Sequence, residues 1–206
     1  EWRYADAILD RQRNRLICIR EDHTDPSHEA VNTVAAVSLE TGESTVLASG
    51  NNFYSSPRLS PDGNRLAWLT WNHPNMPWDG TELWVGELDG RGDILSPLQV
   101  AGGPAESVFQ PEWSPSGVLH FVSDRTGWWN LYRWQDEKIE ALCPMEAEFG
   151  GPQWVFGISL YAFVSGAIVC AYEKSGHSHL ASLDPGTLKL GPIELPYTEI
   201  WRVKAG

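Results

Sequence analysis

The loop "WNHPNMPWDG" at residues 71–80 carries the densest set of side chains in the sequence that could recognise a ligand. His73, Asn75, Trp78 and Asp79 offer a titratable ring, an amide, an aromatic surface and a carboxylate. Two prolines stiffen the loop, and long, rigid, aromatic loops are typical of binding surfaces. We therefore take these four residues as candidates for contact with a substrate or a neighbouring domain. The alternative is a loop that packs on its own sheet.

The segment "DRTGWWN" at residues 124–130 is a second candidate. Arg125 and Trp128 could contact a substrate or a domain interface. Asp124 and Arg125 could instead brace the hairpin that contains them, and we favour this structural role over contact with a ligand.

Two groups of residues could be considered as metal ligands. His177 and His179 would share one face of a strand, with Glu173 nearby, but a third firm ligand is missing. A second group lacks the glycine and the spacing of a calcium-binding loop; it consists of Glu21, Asp22, His23, Asp25 and His28. The sequence therefore predicts no metal site and no cofactor.

Composition narrows the classes of partner. The chain has 206 residues and a formal net charge of −12, which argues against nucleic acid and against an anionic membrane, because both need a basic surface. No apolar run approaches the roughly 20 residues of a spanning helix. The simplest interpretation of the acidity is solubility.

The three cysteines indicate a reducing compartment. Cys18, Cys143 and Cys170 are an odd number, are widely spaced and form no CxxC motif. Each lies in an apolar, strand-like context, so we expect buried and inert thiols. A cytoplasmic location is the corresponding expectation.

These candidate residues must be positioned by a repeating element, and two independent markers reveal its period. The first marker is a hairpin turn that recurs 50, 54 and 49 residues apart, at Gln12-Arg13, Asp62-Gly63, Ser116-Gly117 and Ser165-Gly166. The second is the start of a later apolar stretch that recurs 49, 48 and 49 residues apart, at Val34, Leu83, Leu131 and Leu180. Agreement between two markers indicates tandem repeats of about 49 residues.

Within a period, short alternating segments separated by tight turns predict four β-strands and little helix. A tandem four-stranded meander of this length is typical of a β-propeller blade. The sequence thus predicts an all-β propeller fragment related to TolB and WD40 propellers. We divide it into blades at 4–50, 51–102, 103–150 and 151–198, with 199–206 as the start of a further blade.

The blade pattern makes further structural predictions. We expect second-strand centres near Cys18, Trp68, Phe121 and Cys170. We also expect several aromatic residues to lie on strands and pack between blades; they are Trp68, Trp84, Trp113, Phe121, Trp134 and Trp154.

The number of blades raises a problem of exposed surface. An incomplete ring would expose two apolar blade faces, so the chain is expected to pair with a second copy or with a further segment of its own polypeptide. A closed four-bladed ring is the alternative.

Two stretches, "SPRLSPDGNRLAWLTWNHPNMPWDGTELWVGELDG" and "QPEWSPSGVLHFVSDRTGWWNLYRW", resemble the propeller of prolyl-oligopeptidase-family serine peptidases. The bacterial dipeptidyl aminopeptidase/acylaminoacyl-peptidase type is the most similar group, and the resemblance covers essentially the whole chain. It implies peptide substrates and a following α/β-hydrolase domain of the same polypeptide, which the propeller would gate.

The catalytic signature of that family is missing from this sequence. The segments closest to a G-x-S-x-G nucleophile elbow, "GESTV" at 42–46 and "GISLY" at 157–161, both lack the closing glycine. The sequence therefore predicts no catalytic residue in this chain. A TolB-like propeller that binds a protein partner and a carbohydrate-binding propeller with exposed tryptophans are the alternative functions.

Overall fold

The computed structural model describes residues 1–205, which contain sixteen strands and no helix. The strands form four antiparallel sheets of four strands, each in sequential order. Blade 1 contains β1 (Trp2–Asp10), β2 (Arg15–Asp22), β3 (Val31–Ser38) and β4 (Ser44–Ala48). Blade 2 contains β5 (Phe53–Leu59), β6 (Arg65–Trp71), β7 (Glu82–Leu88) and β8 (Ile94–Gly102).

Blade 3 contains β9 (Val108–Trp113), β10 (Leu119–Ser123), β11 (Asn130–Gln135) and β12 (Lys138–Ala141). Blade 4 contains β13 (Tyr161–Val164), β14 (Ala167–Lys174), β15 (His177–Asp184) and β16 (Lys189–Ile193). This architecture confirms the predicted all-β propeller fragment. The four second-strand centres are also confirmed, because Cys18, Trp68, Phe121 and Cys170 lie in β2, β6, β10 and β14. Within residues 1–205, no helix could span a membrane.

Apolar packing joins each blade to the next because successive residues of a strand point to opposite faces. On β6, Leu66 and Trp68 pack toward blade 1, whereas Ala67 and Leu69 pack toward blade 3. A third cluster joins blade 3 to blade 4, with Phe109 among its buried residues. In the described residues no such cluster joins blade 4 to blade 1, as expected for an open arc of blades.

The first strands of blades 1, 2 and 3 lie side by side and are therefore the inner strands of the arc. Each has a β-bulge in which two residues face one residue of the second strand. The first residue of each bulge has a positive φ, with values of 50° at Asp6, 54° at Ser56 and 46° at Gln110. The bulges turn polar side chains toward the neighbouring blade: Asp6 Oδ2 accepts a hydrogen bond from Ser56 N at 2.6 Å.

Arginines hold the recurrent hairpin turns. Arg13 Nη1 of blade 1 donates to Gly63 O at 2.9 Å, and Arg65 Nη2 of blade 2 donates to Gly117 O at 2.8 Å. Gly63 and Gly117 occupy the same place in "SPDG" and "SPSG", and their φ values of 69° and 80° suit glycine. The recurring turn therefore serves as a docking point for the preceding blade.

Trp154 departs from the packing that was expected of it. It lies on the connection between β12 and β13 and is 72% exposed, because Gly150, Gly151 and Pro152 interrupt the strand pattern before it. The other five residues of that set lie on strands, where Trp68, Trp113 and Phe121 are buried.

The boundaries of the sheets can be compared with the expected blades. The four sheets extend over residues 2–48, 53–102, 108–141 and 161–193. Residues 199–205 form no strand, and Val203 N donates to Ser159 O at 2.8 Å beside the start of blade 4. A further blade at 199–206 stays a prediction.

Candidate functional site

A cavity of about 460 Å³ opens between blades 2 and 3, which we call the blade 2–3 pocket. Its walls come from the starts of β5 and β9, from the β6–β7 loop, and from the connection between β12 and β13. These segments lie on one side of the arc because, in a meander, the second loop opens on the same side as the link to the next blade. The cavity volume falls within the range of roughly 300–1,000 Å³ that is usual for ligand pockets.

Aromatic side chains form much of the wall. Phe53 stacks on Trp71 with ring centroids 5.4 Å apart, and the ring of His73 meets Phe53 edge-on at 4.9 Å. Phe109 lines the cavity from β9 and is otherwise buried. Such rings present flat apolar surfaces that suit another planar group.

The β6–β7 loop is fixed by polar contacts on both sides. The ring Nε2 of His73 lies 3.2 Å from Glu29 Oε2. The backbone N–H of His73 donates to Asn52 Oδ1 at 3.1 Å. On the other side, Asn75 Nδ2 donates to Pro104 O at 2.9 Å. His73 and Asn75 both line the pocket, so the structure places two of the predicted site residues there.

The other two candidates of this loop do not line the cavity. Trp78 contacts Trp154 at the rim, with centroids 4.3 Å apart. Asp79 Oδ2 accepts a hydrogen bond from Met76 N at 2.9 Å, which closes a turn within the loop. Trp78 thus supports the wall of the pocket, and Asp79 shapes the loop.

The connection between β12 and β13 forms an apolar ridge beside the pocket. Its exposed residues are Trp154, Val155 and Phe156, with exposures of 72%, 60% and 46%. Gln153 anchors the start of the ridge by donating to Val108 O at 3.1 Å. No motif in the sequence of this segment pointed to a site.

A charged group lies at the inner end of the pocket. Arg58 Nε donates to Glu112 Oε1 at 2.7 Å, and Arg58 Nη1 lies 3.8 Å from Asp6 Oδ1. Burial alone would lower the pKa of Arg58, but the charges of Glu112 and Asp6 outweigh it and raise the pKa above its usual value. The guanidinium is therefore cationic and already paired.

A second polar group, the side-chain amide of Gln110, forms its hydrogen bonds with residues at the start of blade 4. Its Nε2 donates to Tyr161 O at 2.7 Å, and its Oε1 accepts from Leu160 N at 2.7 Å. The hydroxyl of Tyr161 donates to Gln110 O at 2.9 Å. Burial raises the pKa of Tyr161 well above its ordinary value, so this hydroxyl stays protonated.

Arg125 and Trp128 lie outside the blade 2–3 pocket. Arg125 forms an ion pair with Glu106 at 3.0 Å and lies over the ring of Tyr132, while Asp124 Oδ1 accepts from Ser107 N at 2.7 Å. Burial raises the pKa of Asp124. Trp128 is 40% exposed on the same hairpin loop and provides a second aromatic surface away from the pocket.

The β2–β3 loop contains a serine, a histidine and an aspartate, but they are not arranged as a catalytic triad. Ser27 Oγ and Asp25 Oδ2 both lie 2.9 Å from Nδ1 of His28. A triad uses the two different ring nitrogens for the nucleophile and the carboxylate. All three residues are solvent-exposed, so this loop has no means of activating the hydroxyl.

The two groups weighed as metal ligands do not converge. Residues 1–205 contain no group of three or more histidine, cysteine or carboxylate side chains that could hold a metal ion. His179 instead stacks on Tyr172 with centroids 5.1 Å apart.

Sequence reasoning missed Ser55, Arg58 and Gln110, which form the polar side of the pocket. In the sequence, "FYSSPRL" and "VFQPEW" resemble ordinary alternating strands. The one available signal was that a charged residue directly follows a proline in two of the first strands, Arg58 after Pro57 and Glu112 after Pro111.

Comparison with known proteins identifies related structures. No protein-family model matches the chain, and no curated protein does. A solved puromycin hydrolase is 37% identical over 96% of this chain, with a TM-score of 0.89, and a puromycin-hydrolyzing peptidase of Mycobacterium tuberculosis is 36% identical over 96%, with a TM-score of 0.86. Prolyl oligopeptidase B of Galerina marginata is 14% identical over 91%, with a TM-score of 0.70, and shows the fold alone.

This chain corresponds to only a part of each of these longer proteins. This chain spans 32% of both puromycin-hydrolysing proteins and 27% of prolyl oligopeptidase B. In both fold and sequence identity, nearly the whole of this chain is similar to the propeller region of prolyl-oligopeptidase-family (S9) peptidases.

Proposed function

We propose that this chain is the non-catalytic propeller portion of a serine peptidase of the dipeptidyl aminopeptidase/acylaminoacyl-peptidase type. In this role it orients or gates peptide substrates for an α/β-hydrolase domain of the same polypeptide. The blade 2–3 pocket carries the proposal, because it offers aromatic walls and anchored polar groups beside the inner strands. The similarity to a puromycin-hydrolyzing peptidase supplies the reaction class.

The chemistry of the described residues supports a binding role. In the β2–β3 loop, Ser27 Oγ and Asp25 Oδ2 contact the same ring nitrogen of His28, which is not the arrangement of a catalytic triad. The pocket, in contrast, has fixed walls, since His73, Asn75 and Gln153 are each anchored by a hydrogen bond. A preformed cavity of this kind can hold a side chain of a peptide without itself cleaving a bond.

The test is peptide binding to the 206-residue chain, measured by fluorescence or calorimetry. Trp154→Ala should weaken binding about 5- to 30-fold, because Trp154 lines the pocket and removal of an aromatic contact of this kind costs about 1–2 kcal/mol. Trp128→Ala is the matched control, since Trp128 is an exposed tryptophan outside the pocket, and it should change binding less than 2-fold by the same scale. Equal losses in both variants would contradict the proposal.

The same preparation should hydrolyse neither acyl nor dipeptidyl chromogenic substrates. Hydrolysis that is blocked by a serine-directed phosphonate would overturn the non-catalytic assignment.

A TolB-like propeller that binds a protein partner is the second candidate function. The exposed ridge at Trp154–Phe156 favours it, because apolar patches of this kind occur at protein interfaces. The gene sequence beyond codon 206 would distinguish these two functions. About 250 further codons with a G-x-S-x-G motif would support the peptidase, a size that follows from typical domain lengths.

We also propose that the free faces of blades 1 and 4 pair with a second copy when this chain is alone. Blade 1 exposes Trp2, Tyr4 and Leu9, and the last blade has Val164 and Leu188 exposed. Sedimentation equilibrium should therefore show dimers that increase with protein concentration. A monomer that persists at high concentration would contradict this pairing.

A further inference from the structure

The blade 2–3 pocket contains one buried hydroxyl that the protein leaves unsatisfied. Ser55 is 4% exposed, and its Oγ has no hydrogen-bond partner among the described residues. Ser55 and Phe53 are two positions apart on β5, so both side chains lie on the same face of the sheet, and both line the cavity. Buried polar atoms normally have a partner, so this atom marks a place where a ligand atom completes the bonding.

The neighbouring polar groups are already occupied. Both ends of the Gln110 amide bind blade 4, through Tyr161 O and Leu160 N. The guanidinium of Arg58 donates to Glu112 Oε1 and to Pro57 O, each within 2.8 Å. At the inner end of the pocket, a ligand therefore meets the Ser55 hydroxyl as the buried polar group without a partner.

The charges at the inner end of the pocket exclude an anionic ligand group. Arg58 lines the cavity, and its positive charge is paired with two carboxylates behind it, Glu112 and Asp6. The side chains of Arg58, Asp6 and Glu112 are 18%, 10% and 33% exposed. A carboxylate or phosphate placed here would find the charge of Arg58 already paired and would be repelled by Glu112 and Asp6. The group that reaches Ser55 must therefore be neutral.

The walls define the rest of the ligand. Phe53, Trp71 and Trp154 line the cavity, and the ring of Phe53 stacks on that of Trp71. Rings stack on rings in offset or edge-on geometry, so a planar aromatic group matches these walls better than a branched aliphatic one.

We propose, on the basis of the proposed function, that the blade 2–3 pocket binds a tyrosine side chain of a peptide. The ring lies beside Phe53, Trp71 and Trp154, and the neutral phenol hydroxyl exchanges one hydrogen bond with Ser55 Oγ. Ser55 is then a specificity-determining residue.

The test uses four amino-acid amides with the 206-residue chain, titrated by two-dimensional NMR. The probes are the N-acetyl amides of tyrosine, phenylalanine, leucine and 4-carboxyphenylalanine. The tyrosine probe should bind roughly 3- to 10-fold more tightly than the phenylalanine probe, which is the usual net effect of one neutral hydrogen bond. The leucine and carboxylate probes should bind more weakly than both.

Substitution of the serine isolates this contact. Ser55→Ala should bring the tyrosine probe to the affinity of the phenylalanine probe and leave the phenylalanine probe unchanged. Ser55→Ala should also fold with an equal or higher thermal midpoint, because it removes an unpartnered hydroxyl from a buried site. Ser178→Ala, on β15 of blade 4, is the control and should preserve the preference for tyrosine.

The outcomes separate this inference from the proposed function. If peptides bind and Trp154→Ala weakens their binding, but the tyrosine and phenylalanine probes bind with equal affinity, the inference is wrong and the proposed binding role stands. The inference is also wrong if the leucine or carboxylate probe binds as tightly as the tyrosine probe, or if Ser55→Ala preserves the preference. If no probe and no peptide binds, both are wrong.

Discussion

Asp10→Ala should lower the free energy of unfolding by about 3–5 kcal/mol, the usual cost of removing one partner of a buried ion pair. Asp10 is fully buried, and its Oδ2 lies 2.9 Å from Arg15 Nε and 3.3 Å from Arg13 Nη1. Removal of the Asp10 carboxylate would leave the largely buried guanidinium groups of Arg13 and Arg15 without their anion. Both arginines also bind backbone carbonyls of blade 2, at Gly63 and Gly92, so the effect should reach the contact between blades 1 and 2.

Urea denaturation measures this effect, and two further variants define its origin. Asp93→Ala removes an exposed carboxylate and should change the free energy by no more than about 0.5 kcal/mol. Asp10→Asn keeps an acceptor of the same shape and should give an intermediate loss. A loss below about 1 kcal/mol for Asp10→Ala would show that Arg13 and Arg15 do not depend on Asp10.

Stability should decrease between about pH 6.5 and pH 4 because of His120. This histidine is 3% exposed, its Nδ1–H donates to Val118 O at 3.1 Å, and its Nε2 has no partner in the described residues. Burial, assisted by the charge of Arg133, lowers the pKa of His120 to about 4. The folded protein therefore holds the neutral ring, whereas the unfolded chain takes up a proton below its ordinary pKa of about 6.5.

The expected magnitude follows from linkage. The stabilisation is fully present above pH 6.5 and is lost as the pH falls toward 4, which amounts to about 3 kcal/mol for a depression of this size. His120→Gln removes the titration, so the difference in unfolding free energy between wild type and variant should shrink on acidification. His28→Gln, at an exposed histidine, is the control. A wild-type minus His120→Gln difference that is constant from pH 7 to pH 4.5 would contradict this prediction.

The sequence predicted the sheets because their signals are local. Short apolar runs contain Trp68 and Phe121, and each follows a turn with Gly63 or Gly117, which identifies the hairpin without knowledge of its neighbours. Trp154 was assigned to a strand on the same grounds, and the assignment was wrong. Two glycines and a proline precede Trp154, and the chain there follows the rim of the pocket instead of a sheet.

The site was harder to predict because it combines distant segments. His73 and Asn75 were identified from the composition of one loop, and both line the pocket. Ser55 and Gln110 lie on two different inner strands, and bulges with positive φ at Ser56 and Gln110 determine where the adjacent side chains point. Neither the bulge nor an unpartnered hydroxyl has a sequence pattern of its own, so these residues could be recognised only in three dimensions.

The bulges of the inner strands also determine the order in which the blades can be joined. The left-handed residue has a constant place but a different side chain in each of blades 1 to 3: Asp6 meets Ser56 N, whereas Gln110 meets Leu160 and Tyr161. A blade moved to another place in the chain would keep its sheet but bring a side chain that has no matching group on its new neighbour. The junctions, more than the sheets, therefore make the blades non-interchangeable, and duplication or shuffling of one blade would require a compensating change at the bulge of the next.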